Sequence, residues 1–203
     1  MMEGVRQPVL KFENVSISFD EQRVLDSISF EVWPGQSRIL LGAAGSGKTV
    51  LLKASLGLVK PDSGAVYLFG RDVRGMRESE LFDMRSRIGM VFQEGGLFDS
   101  LSIEENVAYP LVNQRVLHCP PAEVRPKVEE TLSFVELEHT LDKFTSELSG
   151  GMRRRVGIAR AVVTGPPLVL YDSPTAGLDP ITSYTIMALI LKQRDLKKTT
   201  SMI

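Results

Sequence analysis

The segment Gly42-Ala43-Ala44-Gly45-Ser46-Gly47-Lys48-Thr49 constrains this chain more than any other. It fills every position of the Walker A pattern, with Gly42, Gly47, Lys48 and Thr49 at the fixed offsets. The apolar run Ser37 to Leu41 precedes it and reads as a strand. Lys48 to Leu58 follows and reads as a helix, with apolar residues at Val50, Leu51, Leu52, Ala54 and Leu56. Strand, glycine loop and helix are the context the pattern needs. Glycines let the backbone wrap closely around phosphates with its N–H groups inward. The helix start adds its own unsatisfied N–H groups. Lys48 is placed to reach β- and γ-phosphates, and Thr49 to ligand Mg²⁺. An ordinary glycine-rich turn requires none of these coincidences.

The rest of the chain reads as an α/β protein. Val9 to Phe19 and Leu25 to Val32 alternate as strands around a turn at Asp20-Glu21. Ala65 to Phe69 and Ile88 to Phe92 are further strands, with a short helix at Ser79 to Arg85 between them. The middle changes character: Ile103 to Val116, Pro120 to Leu137 and Met152 to Val163 read as helices, and Pro110 should kink or stop the first. Leu168 to Tyr171 is a buried strand type, Ile181 to Arg194 a helix, and Thr200 to Ile203 reads as the start of another strand. This order suggests an α/β core with an inserted helical lobe. With 43% apolar residues in 203, the chain can bury a substantial core.

Composition removes several function classes. Lys+Arg 24 against Asp+Glu 25 leaves a net charge of -1, which gives no support to a nucleic-acid partner. Cys119 is the sole cysteine, so an internal disulfide and a cysteine-cluster zinc site are excluded. His118 and His139 are the only histidines. No apolar run reaches the length of about 18 residues that a spanning helix needs. Met1 to Pro8 lacks the apolar run of a signal peptide.

A P-loop needs a partner for its metal, and Leu168-Val169-Leu170-Tyr171-Asp172 supplies an apolar strand ending in a carboxylate. An Asp closing a strand elsewhere serves as a turn or cap; beside a P-loop, Asp172 reads as the metal aspartate. Ser149-Gly150-Gly151 precedes the Met152 helix and offers an anion-binding start, though a plain N-cap would use the same residues.

With Leu148-Ser149-Gly150-Gly151-Met152 shortly before that aspartate, the whole chain resembles the nucleotide-binding domain of ATP-binding-cassette (ABC) transporters. The resemblance implies a P-loop NTPase, RecA-like core with an N-terminal antiparallel β subdomain and an inserted α-helical subdomain. It divides residues 1–203 into β and RecA-like parts, 1–94 with 165–203, and a helical part, 95–164. It implies ATP and Mg²⁺ as ligands, with Gly42 to Val50 around the phosphates and Thr49, Gln93 and Asp172 at the metal. Gln93 resembles the glutamine that senses the metal and the attacking water. Phe19 matches the aromatic that stacks on adenine; hairpin packing explains it equally. Ser149, Gly150 and Gly151 would close on the ATP of a second subunit, with Asp179 of Pro174-Thr175-Ala176-Gly177-Leu178-Asp179 at the seam. Arg160 matches a common arginine of the signature helix, or is a solvated charge or ion pair. Met152 in place of the usual glutamine, and Phe92 to Leu111, resemble ATPases of the Mla and mammalian-cell-entry-type lipid transporters.

Two departures follow from the same resemblance. The family's catalytic glutamate position holds Ser173, a poor proton acceptor, so Mg-ATP binding is expected with slow hydrolysis. The chain also ends within its last core strand, short of the family's switch histidine, and reads as a truncated cassette. The implied assembly is a head-to-tail homodimer beneath transmembrane permease subunits, peripheral on the cytoplasmic face of the inner membrane. A non-hydrolysing regulatory module, or a cassette serving another solute, would share these motifs. A cassette acting in DNA repair or translation usually carries two copies or long insertions, which this chain lacks.

Overall fold

The computed structural model of the protein describes residues 7–93, 95–113 and 119–203. Glu94, His118 and the predicted helical residues beyond Asn113 lie outside them. A two-residue turn opens the architecture. Asp20 and Glu21 both take left-handed φ, 46° and 69°, which matches the twist of a tight hairpin. That turn joins β1 (Leu10–Phe19) to β2 (Gln22–Val32), paired from Phe19↔Gln22 to Leu10↔Val32 with register shifts between Phe12 and Ser18. The second strand therefore starts earlier than the expected Leu25, because the hairpin pairs its residues back to the turn. With β4 (Ser63–Leu68) and β5 (Arg71–Asp72) these strands form an antiparallel sheet in the order β2-β1-β4-β5.

A second sheet is parallel. It runs β3 (Ser37–Arg38), β8 (Thr200–Met202), β7 (Leu168–Tyr171), β6 (Ile88–Val91). β3 is shorter than the expected Ser37 to Leu41, although Leu40 N–H still donates to Ile203 O at 2.7 Å. The closing segment of the sequence is thus an interior strand, between β3 and β7.

All four residues of β7 are buried, and they divide between two cores. Leu168 and Leu170 face the antiparallel sheet and α1 (Lys48–Ser55), among Phe12, Ile17, Leu51 and Leu68. Val169 and Tyr171 face the helices, among Val107, Leu132, Ile158 and Ile186. An uninterrupted apolar strand is what a parallel sheet covered on both faces demands. Burial also pushes the Tyr171 phenol pKa up.

The helices of the second core are α3 (Ile103–Asn113), α4 (Pro121–Phe134), α5 (Gly150–Val162) and α6 (Pro180–Lys197). α2 (Glu78–Arg85) packs beside the first core through Leu81 and Met84. Pro110 does not stop α3, which continues to Asn113. The Asn113 side-chain amide donates to Tyr109 O at 3.2 Å and helps hold that last turn. α4 ends at Phe134, before the predicted Leu137, because Glu136 takes φ 61°.

Candidate functional site

Parallel strands bring the predicted loop and two predicted residues to one end of the sheet. The P-loop leaves β3, Asp172 closes β7, and Gln93 follows β6, all at carboxyl ends. That end is where open α/β sheets bind ligands. Asp172 N–H donates to Val91 O at 2.9 Å, which fixes the aspartate beside the end of β6. Gln93 lies two residues beyond Val91, exposed.

The loop itself is shaped for close approach. Gly45 and Gly47 take φ 77° and 89°, in the left-handed region that side chains disfavour. A Cβ on Gly47 would stand 3.0 Å from both Leu25 Cδ2 and Val24 Cγ1. The β1–β2 hairpin therefore presses on the loop. A Cβ on Gly42 would fall 2.5 Å from Ser46 Oγ. The Lys48 ammonium bridges the loop, donating to Gly42 O and Ala43 O at 2.7 Å each and to Ser46 Oγ at 3.3 Å. Gly47 caps α1 without a side-chain hydrogen bond, so the helix start keeps its N–H groups for a ligand. Ala44 and the other loop residues, apart from Gly47 and half-buried Lys48, are exposed.

Thr49 and Asp172, the two residues expected at a metal, lie in contact. Thr49 Oγ1 donates to Asp172 Oδ2 at 3.1 Å and Oδ1 at 3.3 Å. A hydroxyl and a carboxylate are hard oxygen donors, suited to Mg²⁺ shared with substrate phosphates. The tight glycine cradle, the helix start and this donor pair fit Mg-ATP.

The remaining candidates are placed less uniformly. Phe19 sits at the hairpin tip, 45% exposed, so hairpin packing does not consume its ring. Val50 is half-buried on α1, packed against the first core. Ser149 caps α5, accepting from Met152 N–H at 3.3 Å, with Gly150 and Gly151 in the first turn. Asp179 caps α6, accepting from Ile181 N–H and Thr182 N–H at 3.0 Å each and from Thr182 Oγ1. Those bonds, the Thr182 hydroxyl first, hold its carboxyl below the usual carboxylate range. Arg160 is half-buried, donates to Gly95 O at 3.2 Å and lies over the Phe98 ring. It is therefore a structural arginine of the segment after Gln93, and burial lowers its pKa.

Ser173 follows Asp172 with φ 47°, a left-handed residue that is not glycine. Its carbonyl accepts from Ala176 N–H at 3.1 Å and from Arg154 Nη1 at 3.1 Å. Sequence reasoning missed Arg154, which sits in the run Arg153-Arg154-Arg155 and so resembles a solvated charge cluster. The missed signal is its spacing, four residues before the buried Ile158 on one helix face.

The parallel sheet, glycine cradle and Thr49–Asp172 pair define a P-loop nucleotide-binding domain. Residues 25–176 match the family described as ABC transporter, and the chain belongs to that family. A probable ribonucleotide transport ATP-binding protein, mkl of Mycobacterium leprae, is 35% identical over 182 residues, covering 90% of this chain and 52% of that protein. The chain thus spans about half the length of that relative. The intermembrane phospholipid transport system ATP-binding protein MlaF of Haemophilus influenzae is 33% identical over 199 residues, covering 98% of this chain and 75% of that protein. Among solved structures, the ATP-binding cassette MJ0796, a dimer in a post-hydrolysis state with ADP and Pi, superposes with a TM-score of 0.84. It is 32% identical, over 95% of this chain and 86% of that one.

Proposed function

We propose that the protein is the ATP-binding subunit of a membrane transporter, and that it binds Mg-ATP well but hydrolyses it slowly. The contact between Thr49 and Asp172 at the mouth of the glycine loop carries the binding half. Ser173 carries the slow half. Its hydroxyl lacks the basicity to take a proton from water. Neither carboxylate is offered in its place: Asp172 holds Thr49, and both oxygens of Asp179 are occupied by capping bonds that also lower its pKa and so its basicity. Mg²⁺, when bound, would neutralise charge on the β- and γ-phosphates. Lys48 would do the same from the loop, Gln93 would orient water, and Phe19 would stack on the base.

Two copies would close head to tail, each ATP lying between one loop and the other subunit's Ser149 to Gly151. The ADP- and Pi-bound dimer named for MJ0796 supports that reading. The transmembrane partner would dock where Phe92, Phe98 and Tyr109, 48%, 41% and 40% exposed, surround the Gln93 segment. No helix among the described residues is long and apolar enough to cross a membrane. In this reading the protein sits at the cytoplasmic face of the inner membrane against its transmembrane partner.

A phospholipid cargo is supported by the alignment with MlaF over 98% of this chain and by the Phe92 to Leu111 segment. The relatives named for ribonucleotide transport and for methionine import mark competing cargoes. Turnover by the subunit with its permease, stimulated by phospholipid vesicles and not by ribonucleotides, would support the lipid reading.

The enzymatic test is Ser173→Glu. Calorimetry should show Mg-ATP binding by both forms, and the variant should turn over about 10²–10⁴ times faster. Equal rates would defeat the slow-hydrolysis reading. ATP binding without turnover in either form would instead favour a regulatory nucleotide-sensing module, the reading Ser173 also supports.

A further inference from the structure

Three consecutive arginines on α5 each reach a backbone carbonyl in a different place. Arg153 Nη1 donates to Leu148 O at 2.9 Å, just before the helix. Arg155 Nη1 donates to Val135 O at 2.9 Å, at the end of α4. Arg154 is the buried one, 6% exposed, and it reaches the loop after Asp172. Its Nη1 donates to Ser173 O at 3.1 Å and its Nη2 to Ala176 O at 3.3 Å. That loop is built from two turns, Ala176 N–H to Ser173 O at 3.1 Å and Leu178 N–H to Thr175 O at 3.2 Å. Ser173 holds a left-handed φ of 47° within it. A planar guanidinium offers two parallel donors at fixed spacing, which a lysine ammonium does not. A second contact lies one turn away: a Cβ on Gly151 would fall 2.6 Å from Thr182 Cγ2 of α6.

We infer that Arg154 is a positioning residue that fastens the start of α5 to the Ser173–Leu178 loop. Ser149–Gly151, which would face a partner's nucleotide, is thereby tied to the loop that follows Asp172, which would face the subunit's own. The inference rests on the nucleotide-binding reading above for its consequence, but not for its geometry. These two bonds end on the Ser173 and Ala176 carbonyls and not on the loop Gly42 to Thr49, so the test reads Mg-ATP affinity separately from loop order.

The test uses the full chain carrying Arg154→Met, Arg154→Lys or, as a control of comparable destabilisation, Leu132→Ala. Leu132 is fully buried in the helical core, away from the loop. Hydrogen exchange is read at residues 173–178 and at α1. Arg154→Met should speed exchange in the loop at least tenfold while α1 is unchanged, Arg154→Lys should fall between, and Leu132→Ala should leave the loop slow. Exchange equal to wild type in the loop, or raised equally everywhere, would overturn the inference. Sedimentation with Mg-ATP gives the second reading: affinity for Mg-ATP within twofold of wild type, but dimerisation weakened at least tenfold. Dimerisation unchanged in Arg154→Met would overturn the coupling. A wild-type chain that stays monomeric with Mg-ATP counts against the head-to-tail proposal, and the exchange data still decide Arg154.

Discussion

The Thr49 hydroxyl donates to both carboxylate oxygens of Asp172, at 3.1 and 3.3 Å, although the residues stand 123 positions apart. Thr49 lies in the first turn of α1 and Asp172 at the end of β7, so the sheet order brings them together. Asp172→Asn keeps the shape and removes the charge. ATP affinity without metal should stay within about twofold. The gain on adding Mg²⁺ should shrink about ten- to hundredfold, the scale of losing one charged contact of roughly 1.5–3 kcal/mol. Calorimetry with and without Mg²⁺ measures both.

Gly47 and Gly45 make a matched comparison, since both have positive φ but only Gly47 is crowded by Val24 and Leu25. The left-handed backbone alone costs about 1–2 kcal/mol for an alanine. Gly45→Ala should lose about that much in urea denaturation. Gly47→Ala should lose more and also weaken ATP binding, because the hairpin must retreat. Equal losses would mean that the hairpin yields freely.

Glu80 predicts a pH dependence. Arg77 N–H, then the Arg71 and Arg77 side chains, lower its pKa from 4.5 to about 2. The folded pKa is depressed, so the contribution is present above about 4.5 and lost as pH falls toward about 2. Glu80→Gln should lower the urea midpoint slightly at pH 7. The gap to wild type should close as the pH is taken from 5 to 2.5. Exposure and solvent screening keep the effect small.

Leu132 is fully buried among α3, α4 and α5. Leu132→Ala should cost about 2–5 kcal/mol through lost transfer energy and the cavity left behind. Mg-ATP affinity should stay within about twofold, because the glycine loop belongs to the other core. Chemical denaturation and calorimetry check the two halves.

Much of this site was legible before the fold. Gly42 to Thr49 carries its chemistry locally, since glycine φ freedom and the helix start need only neighbours in sequence. Asp172 was legible as the end of an apolar run. Arg154 was not, because a run of three arginines looks solvated until its helix face is known. The same holds for Arg160, whose contacts with Gly95 O and the Phe98 ring no local pattern predicts. Pro110 was expected to kink or stop its helix; α3 runs past it to Asn113, with Val107 and Leu111 buried on its face.

Residue order alone determined the glycine cradle, the strand ending at Asp172 and the capped start of α5, because each rests on short-range backbone geometry and periodicity. Only the tertiary structure decided that Thr49 meets Asp172, that the hairpin presses on Gly47, and that Arg154 spans two carbonyls of another loop. Those contacts depend on strand order and on which helix face is buried. Both are set by how two cores share β7, and no local pattern encodes that.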